Sequence, residues 1–173
     1  EKWGFSYGDA VANAAGTALF ISQQLLWKEQ RVLLKFSYSP GEYAAYRPET
    51  LGRSGMERIL KDYNAQTYWM SINLSSFFNS EPKFLPWLNI ALGYGANGML
   101  GGDFNPAVNG AGQELPFAER YRQYYLSLDI DLSRIKTQNH FLQTVFSVVG
   151  FLKIPAPALE LSQNSLKWHW VKF

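Results

Sequence analysis

Residues 123–132, QYYLSLDIDL, separate by parity into two chemically different sets. Tyr124, Leu126, Leu128, Ile130 and Leu132 form one set; Gln123, Tyr125, Ser127, Asp129 and Asp131 form the other, with two carboxylates. Alternate side chains of a β-strand point to opposite sides of a sheet, so the segment predicts a strand with one greasy and one polar face. Three more segments repeat the pattern. In 31–39, Val32, Leu34, Phe36 and Tyr38 alternate with Leu33, Lys35 and Ser37. In 67–76, Tyr68, Met70, Ile72 and Leu74 oppose Trp69, Ser71, Asn73 and Ser75, and in 87–96, Leu88, Ile90, Leu92 and Tyr94 oppose Trp87, Asn89, Ala91 and Gly93. Strands of this length and alternation are those expected of tilted membrane strands, which need roughly 9–11 residues each. Whatever the solvent, the two faces must meet different surroundings.

The stretches between the strands add a rhythm. The connection 40–66 is long and holds a short helical piece around GMERILKDY. The next, 79–86, is short and carries Pro82 and Pro86, and 97–120 is long and glycine-rich. Long, short, long is the loop order of an up-and-down outer-membrane sheet. Residues 136–152 break that order: Phe141, Val145, Val148 and Leu152 oppose Lys136, His140, Gln143 and Ser147 at helical spacing, and Pro155 cannot continue the helix. Two shorter strands are predicted at 157–162 and 165–173, joined by a tight turn at Gln163-Asn164.

Residues 7–27 read as a helix about 30 Å long at 1.5 Å per residue. Val11, Ala14, Ala18, Ile21 and Leu25 form one apolar stripe, while Asp9, Asn13, Gly16, Phe20 and Gln23 form a second with polar and small members. Ala12 and Gly16 allow close backbone approach. A helix apolar on most sides predicts burial, and Asp9 with Asn13, four residues apart, is a polar pair in need of partners.

Composition narrows the function classes. The 173 residues predict a single domain spanning the whole chain, with the helix first and a β-rich region from residue 31 onward. The 16 basic and 14 acidic residues leave a net charge of +2, which gives no basic patch for nucleic acid. Charged residues are only 17% and aromatics reach 16%, a balance found in outer-membrane barrels with interfacial aromatic belts. With no cysteine, thiolate chemistry and Cys-ligated metals are excluded, and His140 and His169 alone do not predict a zinc site. No cofactor is expected. No uninterrupted apolar run is long enough for an ordinary transmembrane helix. The chain opens at Glu1 without a basic, apolar leader, as a processed or excised piece would.

The opening WGFSYGDAVANAAG resembles the Ser-x-x-Asp-x-x-x-Asn-x-x-Gly helix motif of the VanZ-like proteins and related predicted periplasmic lipoproteins; the motif falls on Ser6, Asp9, Asn13 and Gly16. DYNAQTYWMS, PWLNIALGYGANGM and LDIDLSRIKT resemble an uncharacterised bacterial family of predicted outer-envelope proteins in which such a helix precedes a β-rich tail. The resemblance implies a place in the outer membrane or periplasm of a Gram-negative bacterium, with outer-membrane lipid and other envelope subunits as partners. It implies no reaction. Relatives carry an earlier helix with Asp-Lys-x-x-His and a further helix with Glu, absent here, so the chain is expected to lack the helices against which Asp9 and Asn13 would pack.

Several constellations bear on chemistry. Asp129 and Asp131 share a face about 7 Å apart and are the candidate catalytic pair, since paired carboxylates can act on a glycosidic bond; ion pairs with Lys35, Arg122 or Arg134 are the structural alternative. GRSGM lacks the surroundings of a nucleophile elbow, and GYGANGMLGG lacks the Lys-Ser/Thr of a phosphate loop. Lys35, Asn73, Asn89 and Tyr125 are expected on the polar sheet face. The expected fold is mostly β with helices: an antiparallel outer-membrane-type sheet or small barrel, a packed N-terminal helix and a second amphipathic helix. A soluble α+β fold is the alternative. The expected function is a structural or accessory subunit of an envelope membrane complex; an envelope enzyme acting on lipid or glycan, and a soluble periplasmic module for an apolar ligand, are the other readings.

Overall fold

A computed structural model describes residues 7–78 and 85–173. Ser6 of the helix motif and Pro82 lie outside the described residues. Six strands form one antiparallel sheet in chain order: β1 (Val32–Tyr38), β2 (Gln66–Ile72), β3 (Leu88–Asn97), β4 (Tyr121–Ile130), β5 (Ala156–Ser162) and β6 (Ser165–Lys172). Helix α1 (Tyr7–Trp27) precedes the sheet. The short helices α2 (Tyr43–Tyr46), α3 (Pro48–Leu51) and α4 (Gly55–Lys61) join β1 to β2, and α5 (His140–Val149) lies between β4 and β5.

The sequence placed these elements well, and the differences have local causes. β2 stops at Ile72 rather than running to Ser76, because the Asn73 side chain accepts from Ser76 N at 3.1 Å and turns the chain into a 3-10 helix, Leu74–Phe77. β4 stops at Ile130 for the same reason: Asp131 accepts from Ser133 N at 3.0 Å and opens a second 3-10 helix, Leu132–Arg134. α5 begins at His140, four residues later than expected, where the Asn139 side chain caps Phe141 N and Leu142 N. The β5–β6 hairpin turns on Gln163 and Asn164, both at positive φ (47° and 57°). That two-residue turn matches the right-handed twist of its strands.

The sheet is open rather than a closed barrel. It nevertheless encloses one of its faces. Segment 151–154 crosses from β1 to β4: Phe36 N donates to Phe151 O (2.8 Å), Lys153 N to Phe36 O (2.9 Å), and Ile154 N to Asp129 Oδ1 (3.3 Å). The enclosed face is the polar one. Lys35, Ser37, Trp69, Ser71, Asn89, Tyr125, Ser127, Asp129 and Glu160 are buried, whereas Leu34, Tyr68, Met70, Leu92, Tyr94, Tyr124, Leu126, Leu128 and Leu161 on the other face are exposed. The apolar part of the interior is small, formed by Trp69, Ala91, Tyr125 and Ala158. Gly93 sits beneath it, and a methyl group there would lie 2.6 Å from Trp69 Cζ3 and 2.9 Å from Tyr125 Cβ.

At one end of the sheet the connections 39–65 and 98–120 interlock. Asn64 donates to Met99 O (2.8 Å) and accepts from Met99 N (2.7 Å), and Arg47 donates to Leu100 O (2.7 Å). Ala44, Leu51, Ala65, Met99 and Leu100 are buried in this cap. The glycine-rich GYGANGM runs through β3 first and turns only at Gly98, at φ 71°.

Helix α1 departs from its expected burial. Val11, Phe20, Ile21, Leu25 and Leu26 are exposed, and Gln23 is its only buried residue. The helix meets β1 through Gln23, hydrogen-bonded to Val32, and at Gly16, where an added methyl group would lie 4.0 Å from Leu34, with a cavity between them lined also by Leu19 and Leu33. Among the described residues, no helix is long and apolar enough to cross a membrane.

Candidate functional site

The polar face gathers buried charged groups, and it holds two networks. The first runs across β1 to β4. Asn73 Nδ2 donates to Asn89 Oδ1 (2.6 Å), Asn89 Nδ2 to Ser71 Oγ (2.9 Å), and Ser71 Oγ to Asp129 Oδ2 (2.6 Å). Lys35 Nζ closes the chain at 2.7 Å from the same carboxylate oxygen and also donates to Ile130 O (2.8 Å). Lys35 and Asp129 are 3% and 1% exposed. Register sets Asn89 opposite Asp129, but the Lys35 row runs through Trp69 and Gly93 to Tyr125, four residues from Asp129, so it is the curl of the sheet that carries the Lys35 ammonium across to the carboxylate. Lys153 reaches in from the crossing segment, 4.0 Å from Asp129 Oδ1 and 5.0 Å from the Trp69 ring centroid. Burial lowers its ammonium to about 8; Asp129 opposes that shift and Lys35 adds to it.

The second network sits near the hairpin. Glu160 accepts from Ser162 Oγ (2.7 Å) and Gln123 Nε2 (2.9 Å), and lies 2.7 Å from His169 Nε2. Burial alone would raise its carboxyl, but these hydrogen bonds hold it below the usual carboxylate range. The Tyr125 phenol beside it is pushed well above its ordinary value by burial and by the Glu160 carboxylate. Lys172, whose ammonium is lowered by burial, stands 4.8 Å from the Tyr125 ring centroid.

Both candidate carboxylates have ion-pair partners. Asp129 is taken up by Lys35 and Ser71, and Asp131 lies beyond the strand end, where it accepts from Ser133 and Arg134 Nε (3.1 Å). The two carboxylates serve separate networks. The expected ion pairing held for Lys35 and Arg134 but not for Arg122, whose guanidinium lies on the outer face, 5.8 Å from the Tyr94 ring centroid. Lys35, Asn73, Asn89 and Tyr125 are all buried on the polar face, where they were expected. Asp9 and Asn13 are exposed on α1, and Gly16 faces Leu34 at 4.0 Å, so the helix motif is not brought to the networks. His140 is exposed at the start of α5, and His169 points inward.

Sequence reading missed Glu160, Lys153 and Gln23. Glu160 carried a usable signal, since it shares parity with Ala158 and Ser162 in β5. Lys153 lies in an aperiodic connection and carried none. Among the described residues, no three His, Asp or Glu side chains could hold a metal ion.

The outer face is ordered in rows. Register aligns Phe36, Tyr68, Tyr94 and Tyr124 across β1 to β4, then Leu34, Met70, Leu92 and Leu126, then Val32, Ile72, Ile90 and Leu128, then Leu88 and Ile130. The first row is aromatic and lies toward the capped end; the others are aliphatic. Across the sheet the only charged strand residue pointing outward is Arg122, one step beyond the aromatic row. At the opposite end, the Trp27 and Phe77 rings meet edge to face at 5.6 Å, with Arg31 over both. From the aromatic row to Leu88 the strand spans about 20 Å.

No known family, curated protein or solved structure matches this chain.

Proposed function

We propose that this protein is a β-rich envelope protein whose sheet lies with its Leu-rich face against outer-membrane lipid, and that it acts as a structural or accessory subunit of a membrane complex. One observation carries the reading: the sheet is inverted relative to a protein packed for water, with Lys35, Asp129 and Glu160 buried and Leu34, Leu92, Leu126 and Leu128 exposed. In water that arrangement leaves the apolar surface unburied and takes charges out of solvent, and both cost free energy. In lipid it is the expected one, because the outward residues of membrane strands are apolar and the inward ones polar.

Two further features support it. The outer face lacks charge until Arg122. An aromatic row borders the aliphatic rows, as interfacial Tyr and Trp border an apolar band about 25 Å tall. The structural role is favoured over an enzyme because Asp129 is spent on internal pairing and both oxygens of Glu160 are engaged by neighbouring side chains. Placement in the outer membrane or periplasm is the resemblance's implication, and the inverted sheet favours the membrane.

Fractionation of the native protein tests the reading. Recovery with the outer membrane, released by detergent and not by high salt, is the expected result. Recovery as a soluble protein without detergent overturns it.

A further inference from the structure

We propose that two copies of this chain pair through the outer edges of β6, about a two-fold axis at Trp168, to form one continuous antiparallel sheet. The inference rests on the membrane reading above, since in hydrocarbon an unpaired strand edge is the most expensive feature the chain could present.

The two edges of the sheet are unequal. The β1 edge is covered by its own chain at Val32 and Phe36. The buried Gln23 side chain takes the place of a neighbouring strand there: its Oε1 accepts from Arg31 N (2.9 Å) and Val32 N (2.8 Å), and its Nε2 donates to Val32 O (2.9 Å). Four residues further on, Phe36 N and O are paired with Phe151 O and Lys153 N. β6 has no such cover. It pairs with β5 alone, and among the described residues no backbone group meets its other edge.

The hairpin fixes which β6 groups point into that open edge. In a two-residue hairpin the residues flanking the turn, Ser162 and Ser165, form a hydrogen-bonded pair, and hydrogen-bonded and non-bonded pairs then alternate. Leu166 opposite Leu161, and Trp168 opposite Leu159, are therefore non-bonded pairs, and their N–H and C=O groups point outward. The side chains around them are among the most exposed of the molecule: Leu166, Trp168 and Trp170 at 68%, 55% and 78%.

A second copy meets each requirement of this edge. A two-fold axis normal to the sheet pairs β6 with itself antiparallel, which continues the antiparallel order and keeps the apolar faces on one side. A chain with one open edge closes at two copies, whereas two open edges would polymerise. Register follows from length and charge. An axis at Trp168 overlaps nearly all of Ser165–Lys172, whereas an axis at Lys167 would set two lysines directly opposite each other, which is unfavourable.

The chain has no cysteine, so single-cysteine variants read the pairing directly. In a hydrogen-bonded antiparallel pair the Cα atoms are about 5.5 Å apart, within disulfide range. Trp168→Cys, oxidised in outer-membrane vesicles, is expected to give a disulfide-linked dimer at least about tenfold above Phe117→Cys in the exposed loop, with Leu166→Cys and Trp170→Cys weaker. The unsubstituted protein in detergent micelles is expected at twice its monomer mass, a measurement that does not depend on how the variants fold. A monomeric unsubstituted protein overturns the inference, as does cross-linking at 168 only to other proteins. Quenching of the native tryptophans by brominated-chain phospholipid in the same vesicles separates the two claims. Quenching with a monomeric mass sinks the pairing and leaves the lipid reading; a dimer without quenching does the reverse.

Discussion

The cap built from 39–65 and 98–120 and the sheet beneath it bury different chemistry. The cap buries Ala44, Leu51, Met99 and Leu100 and sends Glu49, Glu57 and Lys61 to the surface, with Met56, Leu60, Phe104 and Phe117 exposed and Asp62 buried. The sheet buries Lys35, Asp129, Asn73 and Asn89 and exposes leucines. One chain therefore carries two burial patterns, and the change falls at the aromatic row of Phe36, Tyr68, Tyr94 and Tyr124. The lesson is that burial by itself does not identify a hydrophobic core; what matters is which chemistry is hidden and which is shown.

The contrast can be broken from either side. Replacing Asp129 with Ala leaves Lys35 and Lys153 buried without their shared counter-charge, and a loss of about 3–5 kcal/mol is expected in denaturant titration. Replacing both Asp129 and Lys35 with apolar residues of similar volume should cost much less. In the cap, Leu51→Ala removes a fully buried side chain and should cost about 2–5 kcal/mol through the cavity it leaves. On the outer face, Leu126→Arg separates the solvents most sharply: about 2–4 kcal/mol if the row lies near the middle of a bilayer, and within about 0.5 kcal/mol if the half-exposed Leu126 faces water. Unfolding measured in lipid vesicles decides between them.

Lys153 supplies the smallest effect and a pH signature. Its folded value of about 8 lies below its ordinary 10.5, so between those values the unfolded chain binds more protons. Stability should therefore rise with pH above about 8, and it should stop rising near pH 10, where the tyrosines raised by folding begin to oppose it. The rise across that window should be about 2 kcal/mol and should largely vanish in Lys153→Met, read as the midpoint of chemical unfolding at pH 8 and pH 10.

The amino-acid sequence by itself determined the elements and their faces. Period-two alternation places Lys35, Asn73, Asn89 and Asp129 on one side of the strands, and it places Leu34, Leu92 and Leu126 on the other; the periodicity is a property of the backbone and needs no tertiary information. Helix α1, the tight turn at Gln163-Asn164 and the amphipathic α5 were legible for the same reason. What only the tertiary structure decided was which face is enclosed and by what. Segment 151–154 has no periodicity, yet its crossing from Phe36 to Asp129 buries the polar face and carries Lys153 into it. Gln23 reads as one more polar residue on a helix until the chain folds back and sets its amide against Val32. Asp129 and Asp131 look like a pair by spacing, and they part because Asp131 caps the turn that ends the strand. These three depend on contacts between residues far apart in the chain or on a competition between side chain and backbone, and local pattern carries neither.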